Sequence, residues 1–92
     1  MNIHDAIKEH PNLMNNYRRA ALCFVLAGDM ADRGEYGKRR DQYIYRGGMY
    51  LGMAQGWLFK KYGVVVNAVD FVNGLTAKMT TIKGTVKFAD TI

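Results

Sequence analysis

Ninety-two residues, 49% hydrophobic and 23% charged with a single proline, describe one small globular domain rather than a disordered chain. The 13 Lys and Arg against 8 Asp and Glu give a net charge of +5, which suits nucleic acid, an acidic protein or plain solvation and discriminates poorly among them. The one cysteine, Cys23, excludes an intrachain disulfide and any metal site built on paired cysteines.

The N-terminal stretch MNIHDAIKEHP holds acidic residues and no apolar core, so it is not expected to act as a signal peptide. Residues 3–10 spell a short helix that ends before Pro11, whose ring disfavours helical geometry in the preceding residue. His4 and His10 flank it without a second ligand at metal-binding spacing, and both are expected to be solvated. Asn12 is the expected N-cap of a second helix running to about residue 33.

In that helix Leu13, Tyr17, Phe24 and Ala31 share a side with Ala20, Ala27 and Gly28, while Leu22, Val25 and Leu26 point elsewhere. The run AALCFVLAG is apolar most of the way round, yet far short of the roughly 20 residues needed to cross a bilayer. It needs cover on several sides. In a chain that buries only about 60–65% of its unfolded surface, this points to a second subunit, and a homodimer is expected. Cys23 within the run reads as an inert packed thiol.

ADRGEYG breaks the helix at Gly34 and lets a third restart at Glu35 and run to Tyr62, with Gly63 as its stop. AGDMADRGEYG resembles the turn of a tetratricopeptide unit in its small–Gly pair and its Gly-x-Tyr. The resemblance covers eleven residues of a single copy and implies a helical hairpin, no more. Gly48, Gly52 and Gly56 repeat every fourth residue, where another backbone, the second helix above all, is expected to approach closely.

Tyr36, Tyr43, Tyr50 and Trp57 fall seven residues apart and trace one slanting stripe on this helix. Ile44, Leu51 and Leu58, with Gly47 and Ala54 between them, form the expected seam against the second helix. Arg39, Arg46, Met53 and Lys60 lie just beyond the aromatics, and Arg40 and Lys61 add charge at the two ends. An aliphatic, aromatic, basic order marks a core boundary with half-buried rings. It also gathers residue types enriched at binding hot spots, or a stacking platform with phosphate-binding flanks.

Val65, Ala68, Val69, Val72, Leu75 and Met79 fit one helical face better than a hairpin turning at Asn73–Gly74. TIKGTVKF alternates as a half-buried strand over residues 81–88, in need of a partner strand. The fold expected is mainly α, a compact helical hairpin or bundle of three to four helices with a short C-terminal β-strand or extended segment.

Enzyme signatures are sparse: there is no serine, no phosphate-binding glycine loop, and the nearest carboxylate pair, Asp29 and Asp32, suits a solvated helix end. The chain therefore reads as a non-enzymatic, cytoplasmic binding protein without metal or cofactor and without membrane attachment. It is expected to dock on and modulate, by inhibition, a larger protein or complex. In style it resembles the compact accessory proteins of bacteriophages. The expected contact residues are Tyr36, Arg39, Arg40, Tyr43, Arg46, Tyr50, Trp57, Lys60 and Lys61. The alternative is a basic nucleic-acid-binding protein using the same Tyr/Arg face.

Overall fold

A computed structural model describes residues 1–82 and 85–88. Four helices are followed by a β-hairpin: α1 (Ile3–Glu9), α2 (Leu13–Asp32), α3 (Lys38–Tyr62), α4 (Val69–Ala77), β1 (Met79–Ile82) and β2 (Thr85–Phe88). The mainly helical bundle expected from the sequence is the fold observed.

Helix ends follow local chemistry. Asn2 caps α1, its side-chain oxygen accepting from the Asp5 amide at 2.9 Å. Asn12 stands at the cap position of α2 but makes no side-chain cap bond. Instead the amides of Leu13, Met14 and Asn15 reach three residues back, to His10, Pro11 and Asn12, so a tight turn satisfies them.

At the other end Gly34 takes φ 76°, its amide bonds Ala31 O at 3.0 Å, and the Glu35 amide bonds Met30 O at 2.8 Å. This paired closure is a Schellman motif. It uses the Glu35 amide to finish α2, and α3 starts at Lys38 rather than at Glu35. Tyr36 consequently lies in the connection, off the helix. Gly63, at φ 70°, ends α3 where the sequence placed the stop.

α2 is the central element: α1, α3, α4 and both strands pack on it. Ala20, Ala21, Cys23 and Ala27 are buried and Phe24, Val25 and Leu26 are half-buried. The cover that this apolar run demands thus comes largely from the chain's own elements. Tyr17, Leu58 and Val66 are the largest fully enclosed side chains, joined by Ile3, Ala6, Leu13, Ala54, Val72, Leu75 and Met79 in one cluster. The Tyr17 hydroxyl donates to Gln55 Oε1 at 2.9 Å, and Gln55 Nε2 donates to the Val66 carbonyl, so α2, α3 and the extended segment 64–68 meet through one polar chain.

The seam of α3 is the expected one except at Ile44. Gly47, Ala54 and Leu58 are buried, Leu51 is half-buried and Ile44 is exposed. The Phe24 ring fills the space over Gly47, where a Cβ would stand 2.7 Å from the nearest ring carbon. Close approach is therefore made at Gly47, while Gly48, Gly52 and Gly56 face open space.

α4 begins only at Val69, whose amide is held by Asn67 Oδ1 at 3.0 Å. Val65 is thereby left outside the helix and 82% exposed, and Val69 is exposed as well, whereas Ala68, Val72, Leu75 and Met79 are buried as expected. The alternating run does not form one continuous strand. Met79–Ile82 pairs antiparallel with Thr85–Phe88, Met79 opposite Phe88 and Ile82 opposite Thr85, so the partner strand lies within the chain. Lys83 and Gly84, part of the expected strand, lie outside the described residues.

The molecule measures 41 × 31 × 18 Å. Its thinnest dimension is below two helix diameters of about 10 Å each, so it is roughly one helix pair thick. α3, packed chiefly on α2, keeps its other side open.

Candidate partner-binding surface

The nine residues singled out by the heptad pattern fall into three groups. At the start of α3, Tyr36 is 71% exposed in the connecting segment and the Arg40 guanidinium lies 5.3 Å above its ring. Arg39 is exposed beside them. Arg40 is half-buried, 3.9 Å from the Asp41 carboxylate, and its Nε is enclosed without a hydrogen-bond partner.

In the middle, Tyr43 and Tyr50 are half-buried, as a core boundary requires, and Arg19 of α2 lies 5.8 Å from the Tyr50 ring centre. Arg46 is exposed and close enough to Cys23 to favour its thiolate, but burial dominates and pushes the thiol up. Cys23 is therefore a buried thiol whose ionisation is disfavoured.

At the end of α3, Trp57 is 42% exposed, its indole edge-on to the His10 ring at 4.7 Å and covered by Lys61 Nζ at 5.4 Å. Lys60 is exposed next to it. Tyr62 anchors this end to α1: its hydroxyl donates to Glu9 Oε2 at 3.1 Å, which leaves its oxygen to accept from His10 Nε2. Partial burial, together with the bond to Glu9 and its charge, pushes the Tyr62 phenol up. His10 is thus half-buried and engaged, not solvated as the sequence suggested. His4 is exposed but packs edge-on against Phe71 at 5.8 Å.

Trp57 and Met53 form one wall of a cleft of about 510 Å³, closed by Glu9, His10, Asn12, Leu13 and Asn16 from the α1–α2 corner. An exposed indole and thioether facing two amides make an amphipathic recess suited to an apolar anchor with polar neighbours. A second cleft, of about 500 Å³, lies between α1 and α4 and contains none of the residues that the heptad pattern singled out.

Within the stripe Tyr36, Tyr50 and Trp57 each carry a cation near the ring. Outside it, Tyr45, Met49, Met53 and Phe59 project from the open side of α3, at 70%, 45%, 57% and 56% exposure. The heptad reading passed over Tyr45, Met49 and Phe59. Helical geometry could have found them, since Tyr45 and Met49 lie opposite Gly47, Ala54 and Leu58 and Phe59 lies on the flank of that seam.

Among the described residues no three His, Cys, Asp or Glu side chains converge on a point, and no helix is long and apolar enough to cross a membrane. No protein-family model, curated protein or solved structure matches the chain.

Proposed function

We propose that this chain is a small, non-enzymatic, self-associating helical protein that docks on a larger protein and modulates it, inhibition being the expected mode. One observation carries the reading: α3 is covered on one side only, leaving Tyr45, Met49, Met53, Trp57 and Phe59 exposed on a single helix. Large aromatic and thioether side chains projecting together are costly to leave in water and mark interaction surfaces. Met53, Trp57 and the cleft beside them supply the anchor for the larger partner. Arg39 and Arg46 form a cationic rim that suits an acidic surface and accelerates encounter.

Nucleic acid is the weaker reading. The cations near three stripe aromatics compete with base stacking, which leaves phosphate contacts by Lys38, Arg39, Arg46 and Lys60 as its basis. Affinity capture from the native host with and without nuclease separates the two. Capture of a protein that survives nuclease and is lost in Trp57→Ala and Met53→Ala, with helicity unchanged, supports the protein partner. Capture abolished by nuclease overturns it.

A further inference from the structure

We infer that the open face of α3 is covered by α3 of a second copy, packed antiparallel about a two-fold axis between Tyr50 and Leu51. This rests on the self-association proposed above and names the surface that makes it. The paired residues do not line the Trp57 cleft.

The inference comes from self-complementarity in both charge and size. Antiparallel pairing about that axis sets Asp41 against Lys60, Tyr45 against Gly56 and Met49 against Gly52 of the second copy, and each pair occurs twice. All six residues are exposed and lie within about 100° of helical arc. An isologous contact demands this reciprocity, with one patch facing itself.

Each knob meets a notch. Tyr45 and Met49 project 70% and 45% exposed, while nothing lies within 4 Å of a Cβ built on Gly52 or Gly56. Asp41 has only the distant 3.9 Å contact with Arg40, and Lys60 has no ion pair among the described residues, so both are available across the interface. A shallow groove along Asp41, Tyr45, Arg46 and Met49 offers the seat. Lys38, which lines the same groove, falls opposite the C-terminal end of the second α3, where exposed carbonyls favour positive charge.

A parallel pairing would stack Asp41 on Asp41 and Lys60 on Lys60, repelling at both ends. It would also place Tyr45 against Tyr45 rather than against a notch.

Sedimentation equilibrium of the full chain over a wide concentration range tests the inference, with Asp41→Lys, Lys60→Asp, the double reversal and Gly52→Leu as variants. Each single reversal is expected to weaken dimerisation about tenfold or more, because two attractive pairs become repulsive. The double reversal is expected to restore self-association yet fail to pair with the unmodified chain, and Gly52→Leu is expected to abolish pairing while helicity is kept. A chain that stays at 10.4 kDa at every concentration overturns self-association altogether. A dimer indifferent to all four variants leaves self-association standing and overturns this face as its seat.

Discussion

The Phe24 ring lies directly over Gly47, with a ring carbon 2.7 Å from the position a Cβ would take. This contact sets how α2 and α3 meet, and it divides the glycines of α3 into one that packing requires and others that the monomer does not use. Gly47→Ala is expected to destabilise the fold by about 1–3 kcal/mol, since Phe24 must shift within a packed interface.

At Gly52 the opposite sign is expected. Nothing lies near its Cβ position, so Gly52→Ala is expected to stabilise the monomer by about 0.5–1 kcal/mol through helix propensity. Urea unfolding of both variants at low protein concentration checks the pair. Equal effects at the two sites would contradict the packing described.

Gln55 links Tyr17 to the Val66 carbonyl. Gln55→Leu leaves a buried hydroxyl and a buried carbonyl without their partner and is expected to cost about 1–3 kcal/mol. Tyr17→Phe removes only the donor, and the change is expected to be smaller, about 0.5–1.5 kcal/mol. Chemical denaturation of the two variants and the double mutant measures the coupling, which is expected to be clearly non-additive.

Much of this was legible from residue spacing. Pro11, Gly34 and Gly63 gave the helix ends, because helix termini are decided within a few residues. Which way each helix turns was less legible, because that depends on contacts distant in sequence. Ile44 fell outside the seam that Gly47, Leu51, Ala54 and Leu58 form, and the demands of the Schellman motif on Glu35 moved Tyr36 off α3. The glycine repeat was visible, but its side was assigned to α2 when it faces outward. His10 gave no sign of its role, since its partners Trp57 and Tyr62 lie some fifty residues away.

Alkaline pH is expected to loosen the fold. Burial raises the Tyr17 phenol, and partial burial together with Glu9 raises Tyr62, so both hold their protons more tightly folded than unfolded. Such groups contribute stability that is whole below the ordinary phenol range near pH 10 and is lost as pH rises through and above it. Urea midpoints at about pH 8 and about pH 11 should therefore fall with pH, and Tyr17→Phe and Tyr62→Phe should each flatten the decline. An unchanged slope in both variants would remove these phenols as its cause.

The claim that the open side of α3 is a protein interaction surface is tested most directly by a photo-crosslinking residue placed at Trp57, activated in the native host, with the same residue at Arg18 on α2 for comparison. A discrete, nuclease-resistant adduct with another protein from position 57, and none from position 18, is the result predicted. Adducts with nucleic acid from position 57, or the same adducts from both positions, would contradict it.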